Sequence, residues 1–457
     1  MRPVAVIGAG ITGLTAAFYL QRRGVPVTVY EGSGQVGGVI QSTRKDGFLA
    51  EAGPNTILET SPKITQLIRD AGLENRRMNS DPAAEARFVV RYGRPIQMPG
   101  SPFGFLGTKL FTAGAKLTFL REPFVKPRRD GVEESIAQFV VRRFNQEFLD
   151  HAVDALVAGI YAGDPYKLSL AHAFPRLKAL EDNYGSMIKG QIFGARDRKK
   201  SGEIARNRAA KVSFDEGLQV LTDTLAAQLG DAVKLNAPVK RLTRLDDGWR
   251  VTTVSGDAEH SAVIYCGTAY RLAELEITSR AGQAIGLSAL ADIRHPPVAS
   301  VVLGFRREDV SHPCQGFGML IPKVEGFKIL GTIFSSALFP NRAPAGHVLL
   351  TSYVGGERQP ELAHLPPEKL VELVALDLKT LLGVRGKPVF TYTAVWPRAI
   401  PQYNVGYGRF KELLAGTETA LPGIFFAGHY RDGISLGDSI VAGVNMAERV
   451  AAVSSRG

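Results

Sequence analysis

The stretch AVIGAGITGL, residues 5–14, runs from a short apolar segment into Gly8, Gly10 and Gly13, a G-x-G-x-x-G spacing. The apolar run predicts a buried parallel strand. The residues that follow, ITGLTAAFYLQRRG, place apolar side chains at helical spacing and stop at Gly24, which predicts a helix. VPVTVYE, residues 25–31, predicts a second strand closing on Glu31. Strand, glycine turn, helix and strand make a βαβ unit. In that unit Gly8 allows the tight turn, Gly10 lets a pyrophosphate approach the backbone, and Gly13 lets helix and strand pack closely. The helix N-terminus faces the phosphates, and Glu31 can accept hydrogen bonds from a ribose 2′-hydroxyl. The pattern predicts dinucleotide binding and leaves NAD and FAD both open.

A chain of 457 residues exceeds what one hydrophobic core holds, so two or three domains are expected. With 45% hydrophobic and 22% charged residues it reads as folded rather than disordered. Cys266 and Cys314 stand alone, without metal-ligand spacing, which argues against a disulfide framework or structural zinc and fits a reducing cytosol. Lysine and arginine outnumber acids 55 to 44, a net +11 that favours an anionic partner. No nucleic-acid signature accompanies the charge, so a membrane surface is the better reading. MRPVAVIG lacks the layout of a signal peptide, and no apolar run is long enough to span a bilayer.

Further along, SPKITQLIRDAG (residues 61–72) predicts a helix with Ser61 as N-cap and Pro62 at its first position. GVEESIAQFVVRRFNQEFLDHAVDALVAGIYAG reads as helical, and residues 196–208 as a solvated basic loop. FDEGLQVLTDTLAAQLG predicts a helix, and VKLNAPVKRLTRLDDGWRVTTVSG a hairpin-like strand pair turning at Asp-Asp-Gly. From Pro297 to Tyr392 strands alternate, with one helix near residues 366–382. The end of the chain repeats the opening in kind: LPGIFFAG is a strand, GHYRDGISLGDSI (428–440) a glycine-rich loop entering a helix.

Between the two ends, Gly37-Gly38-Val39 and Glu51-Ala52-Gly53-Pro54-Asn55 follow Glu31. G-x-G-x-x-G, then an acid, then a glycine pair, resembles the FAD-binding opening of the amine oxidase-like flavoproteins. Val39 stands where that family commonly has arginine. The resemblance implies FAD, held by Gly8, Ala9, Gly10, Thr12, Gly13, Glu31, Gly32, Gly37, Gly38, Val39, Gly53, Pro54, Asn55 and Thr56 from the N-terminal half. From the C-terminal half it implies Gly428, His429, Ile434, Ser435, Leu436, Gly437 and Ser439, with Val239 touching the adenine and Trp396 near the flavin. A helix N-terminus beside the flavin favours its electron-rich oxygens.

Four longer segments, YAGDPYKLSLAHAFPRLKALE (161–181), KILGTIFSSALFPNRAP (328–344), WPRAIPQY (396–403) and GHYRDGISLGDSI, resemble the protoporphyrinogen-oxidising branch of these flavoproteins across nearly the whole chain. That branch implies an α/β and α+β architecture: a Rossmann-type FAD-binding domain from residues 1–80, 207–285 and 420–457, a helical membrane-binding domain from 88–206, and a mixed-sheet substrate domain from 81–87 and 286–419. It implies that Arg87 pairs with a propionate, that Gly159 leaves room for the macrocycle, and that Leu320, Ile333 and Tyr353 hold it. No single catalytic base is implied, and no metal. The expected reaction is FAD-dependent oxidation of protoporphyrinogen IX to protoporphyrin IX by dioxygen, giving hydrogen peroxide. Coproporphyrinogen III is the main rival substrate, and other amine oxidase-like chemistry or an NAD(H)-sensing module the lesser ones. Residues 103–130 mix apolar side chains with Lys109, Lys116, Arg121, Lys126, Arg128 and Arg129, which suits docking on an anionic membrane surface. The expected location is cytoplasmic, peripheral on the inner face of the membrane. Partners left open are a ferrochelatase receiving the product and a second copy of the chain.

Overall fold

The structure is a computed structural model that describes residues 2–194 and 209–454; the expected basic loop at 196–208 lies outside them. The opening strand, Val4–Ile7, sits at the centre of a five-stranded sheet. Val27–Tyr30 flanks it on one side and Val263–Tyr265 on the other, both parallel to it. Ile424–Phe426 pairs in parallel with Val263–Tyr265, so the strand that precedes the last helix joins the sheet begun by the first strand. These strands are mostly apolar because both faces of the sheet are covered, one by helices that include Ile11–Arg22 and the other in part by a four-stranded sheet that contributes Leu242, Trp249, Val251 and Ile277.

Helix packing closes the same junction. The first helix, Ile11–Arg22, lies against the closing helix, Leu436–Ser454. Thr12 Oγ1 donates to the Ser439 carbonyl at 3.2 Å. A Cβ on Gly443 would stand 2.6 Å from the Thr12 carbonyl oxygen, so only glycine permits this approach. Head and tail of the chain meet.

Val233–Lys234, expected in a hairpin with the following strand, pairs instead in parallel with Val27–Tyr30. Asn236 takes φ +53 and Pro238 carries no amide donor, so the chain breaks here and the next strand starts afresh. The hairpin forms one step later, from Val239–Arg244 and Trp249–Thr253, and turns at Asp246-Asp247-Gly248 as expected.

A seven-stranded sheet forms the second layer. Its strands include Arg87–Arg91, Arg94–Gln97, Gly318–Leu320, Ile329–Ile333, Val298–Arg306, His347–Gly355 and Phe390–Trp396. The expected start of the helical segment at residue 88 is therefore corrected: Arg87–Arg91 and Arg94–Gln97 pair into this sheet. Tyr92, at φ +56, and Gly93, at φ +69, make the turn that folds the two strands together. One face of the sheet packs Ala299, Val301, Leu303, Met319 and Leu350 against the helix Pro367–Leu382.

Helices then occupy much of residues 102–193. The long helical run expected there is broken after Phe144, whose φ −120 and ψ −102 leave the helix, and Asn145 caps a fresh turn. The segment is pinned by the buried Arg143, which reaches Glu181 at 3.0 Å and Glu122 at 3.2 Å.

Candidate active site

The glycine turn after the first strand has the geometry that dinucleotide binding needs. Gly8 adopts φ +103, open to glycine at little cost. A Cβ on Gly13 would stand 2.0 Å from the Gly8 carbonyl oxygen, so helix and strand touch there. At Gly10 nothing lies within 4 Å of where a Cβ would be. No side chain caps the first turn of this helix, which leaves its amides for another acceptor. Glu31 is held at the strand end by the Ala9 amide at 2.8 Å and the Ser33 amide at 2.9 Å.

From this turn the contacts run outward without a break. Gly37 donates its amide to the Ala9 carbonyl at 2.9 Å, which seats the Gly37–Gly38 turn over the loop. A Cβ on Gly53 would stand 2.5 Å from the Val39 carbonyl oxygen, so residues 53–55 lie against Val39. Pro54 and Thr56 are half-buried in the same segment. On the ribose side, the Ala237 amide donates to the Glu31 carbonyl at 2.7 Å, and Pro238 packs on Gly32, which brings Val239 beside that end.

The C-terminal loop arrives from the opposite direction. The Gly428 amide donates to Asp432 Oδ2 at 2.8 Å. His429 is partly buried, and burial pushes its imidazole down to about 4, with neighbouring His295 adding to the shift. Ile434 and Leu436 pack into the two cores that flank the loop. Ser435 and Asp438 cap the closing helix reciprocally: the Asp438 amide donates to Ser435 Oγ at 3.1 Å, and the Ser435 amide to Asp438 Oδ2 at 3.3 Å. Gly437 lies against the Leu58 carbonyl, next to the cofactor segment.

Strand register decides which side chains share the second layer's other face. Arg87 is opposite Gly318, which is opposite Ile333; Val89 is opposite Leu320, which is opposite Gly331 and then Tyr353. Paired residues point the same way and alternate residues share a face, so Arg87, Leu320, Ile333 and Tyr353 all emerge on one side. Ser300 and Val298, opposite Tyr353 and Trp396 respectively, continue that face. Two polar tips tie it to the cofactor segment: Tyr353 donates to the Gly53 carbonyl at 3.2 Å, and Trp396 Nε1 to the Ala52 carbonyl at 2.9 Å. Asn55 in turn donates to the Tyr353 hydroxyl at 2.7 Å. Burial holds that phenol well above its usual range.

The helix Asp154–Tyr161 covers part of this face with small residues. Ala155 packs with Val89 and Leu320, and Ala158 and Ala162 with Val298 and Tyr353. Gly159 faces Leu320, where a Cβ on Gly159 would stand 2.4 Å from Leu320 Cδ2. Leu320 is flexible and apolar, and it fills what the glycine leaves.

Two further buried residues went unnoticed in the sequence, Ser300 on this face and Lys211 on a strand of another sheet. Ser300 Oγ is buried with no hydrogen-bond partner among the described residues. Lys211 is 7% exposed and comes from a separate strand, Lys211–Phe214. Neither sits in a motif, and only the pairing of distant strands sets their surroundings.

An uncapped helix start above an open glycine, an acid at the second strand's end and a second capped loop together suit an extended dinucleotide. The fold and site thus define a flavin-binding oxidoreductase of two layers. The family model for flavin containing amine oxidoreductases matches residues 11–451, and the chain belongs to that family. Over 98% of its length it is 35% identical to protoporphyrinogen oxidase 2, chloroplastic/mitochondrial, of Arabidopsis thaliana, covering 93% of that protein. It is also 30% identical, over 96% of both chains, to the coproporphyrinogen III oxidase of Bacillus subtilis (strain 168). Among solved structures, a protein from Exiguobacterium sp. 255-15 superposes with a TM-score of 0.82 at 23% identity, covering 98% of each chain. A putrescine oxidase superposes at 0.72 with 19% identity, over 100% of this chain and 99% of that one. These two establish the fold.

Proposed function

We propose that this chain oxidises protoporphyrinogen IX to protoporphyrin IX in an FAD-dependent, six-electron reaction, with dioxygen as acceptor and hydrogen peroxide as co-product. The observation that carries the reading is the common face of Arg87, Leu320, Ile333 and Tyr353, joined to the cofactor segment through the Tyr353–Gly53 hydrogen bond. A porphyrinogen is an apolar macrocycle with anionic propionates, and its site needs apolar walls and a few cations. Leu320, Ile333 and the small-residue helix supply the walls. Arg87 has no ion pair among the described residues, and its guanidinium stands 5.7 Å from the Phe317 ring centre. Its planar fork suits a bidentate carboxylate contact.

FAD, when bound, would supply the hydride-accepting redox chemistry. The chain's own residues hold the ring, exclude water and set its orientation. The loop amides and the first helix would hold the pyrophosphate, and Glu31 the ribose.

The similarity to a coproporphyrinogen III oxidase supports that substrate as the second reading. Four propionates call for more cations than two, and Arg87 favours the dicarboxylate. Turnover of both porphyrinogens by the purified protein, with hydrogen peroxide measured alongside, tests the choice. Protoporphyrinogen should win the competition, and preferential oxidation of coproporphyrinogen would overturn it.

The reading includes peripheral docking on an anionic membrane, at its cytoplasmic face. Phe103 and Phe124 are 86% and 84% exposed, and Leu117 and Leu120 lie open beside them. Lysines and arginines alternate with them along the same segment. Among the described residues no helix is long and apolar enough to cross a membrane. Exposed apolar side chains interspersed in sequence with lysine and arginine suit an interface. Handover of product to a ferrochelatase and pairing of two copies belong to the same reading.

A further inference from the structure

Lys211 opens the strand Lys211–Phe214, which belongs to a three-stranded sheet apart from the seven-stranded one. Its strand pairs with Arg77–Asn79, with Ser213 opposite Met78 and Val212 opposite Asn79. Alternation then divides the strand. Val212 and Phe214 turn into the core beneath the parallel sheet. Lys211 and Ser213 turn the other way, toward the seven-stranded sheet. Two contacts establish that direction: Ser213 Oγ accepts from Arg342 at 2.5 Å, and Met78, on the same side, packs on the Ala84–Leu338–Phe339 cluster against which Ile333 also packs. Ile333 shares its row with Arg87.

The Lys211 side chain is therefore largely buried, and its charge feels that of Arg87. Its charge is opposed by burial first and by the Arg87 guanidinium second, with Glu85 exerting only a weaker opposite pull. Among the described residues no carboxylate lies within ion-pair distance of its amine, and no hydrogen bond from the amine is formed. Burying an unpaired charge is costly, and two neighbouring cations raise the cost. An arrangement of this kind is stable in the presence of an anion that both can hold.

We propose that Lys211 is a second carboxylate-binding residue of the substrate site, acting beside Arg87 on the propionates of a dicarboxylic tetrapyrrole. The proposal rests on the porphyrinogen reading above. Arg87 offers a planar fork, whereas Lys211 offers a point charge that tolerates several carboxylate positions. The pair matches a substrate whose two carboxylates hang from one side of the ring.

The test measures binding of protoporphyrin IX and of its dimethyl ester to the FAD-loaded protein, for the wild type, Lys211→Met and Lys211→Arg. Loss of a charge-assisted contact should weaken binding of the diacid about 10- to 100-fold in Lys211→Met. The ester should bind Lys211→Met and wild type alike, and Lys211→Arg should restore most of the diacid preference. Equal weakening of diacid and ester, or no weakening of either, would overturn the proposal. A wild type that keeps a Lys211-dependent diacid preference yet oxidises no protoporphyrinogen would sink the reaction assigned above and support the cation assignment.

Discussion

The Tyr353 hydroxyl donates to the Gly53 carbonyl at 3.2 Å, across the boundary between the substrate sheet and the cofactor segment. Asn55 donates to the same hydroxyl at 2.7 Å. One phenol thus ties the proposed substrate face to the proposed cofactor segment. Tyr353→Phe keeps the ring and removes both bonds, at about 1 kcal/mol each. The variant should retain its flavin and lose several-fold in the rate of anaerobic flavin reduction, measured by stopped flow. Unchanged reduction would show that the tie does not position the site.

Gly13 allows the closest backbone approach in the cofactor loop, with 2.0 Å between a Cβ there and the Gly8 carbonyl oxygen. Gly13→Ala must push helix and strand apart, at a cost of about 1–3 kcal/mol. The purified variant should be colourless or nearly so. A yellow variant with wild-type absorbance would contradict the dinucleotide geometry.

Arg87 and its neighbours predict a different pattern. Arg87→Ala should raise KM for protoporphyrinogen by about 10-fold or more, through loss of a charge-assisted bond, while kcat changes little. A fall in kcat with KM unchanged would place Arg87 outside substrate binding.

His295 and His429 lie edge to face, with ring centres 6.3 Å apart, and burial holds both imidazoles down at about 4. Arg398 adds to the depression at His295. A folded-state value below the unfolded value near 6.5 means that stability is present above about pH 6.5 and is lost as pH falls toward 4. Both imidazoles should contribute to that loss. Thermal unfolding of a His295→Gln, His429→Gln double variant should show a flatter slope over this window than wild type. An equal slope would assign the acid sensitivity elsewhere.

The cofactor half of the site was legible in the sequence because its residues act through local geometry. Gly8, Gly13 and Glu31 occupy one βαβ unit, where a turn, a close approach and a strand end are all set within a short segment. The C-terminal loop was legible for the same reason. The substrate half is built by register between distant strands. Arg87, Leu320, Ile333 and Tyr353 entered through resemblance, and nothing in their local spacing says that they share a face. Lys211 follows a basic stretch, and there it reads as one more solvated cation. Only its pairing with Arg77–Asn79 turns it inward. The hairpin from Arg87 to Gln97 was assigned to the helical segment because its partner strand, Gly318–Leu320, lies far along the chain.

The surface around Phe103 and Phe124 offers a physical test of docking. Burying each phenylalanine in an interface is worth about 1.5–3 kcal/mol. A Phe103→Ser, Phe124→Ser double variant should lose most of its flotation with anionic vesicles and keep its activity on detergent-solubilised substrate. Flotation equal to wild type would remove this segment from the contact.

Anaerobic mixing of the purified, flavin-loaded protein with protoporphyrinogen IX measures whether two layers of one chain serve one reaction. The yellow absorbance should bleach on mixing and return with porphyrin fluorescence when oxygen is admitted. A spectrum that stays oxidised in the presence of porphyrinogen would contradict the assignment of this face to a tetrapyrrole.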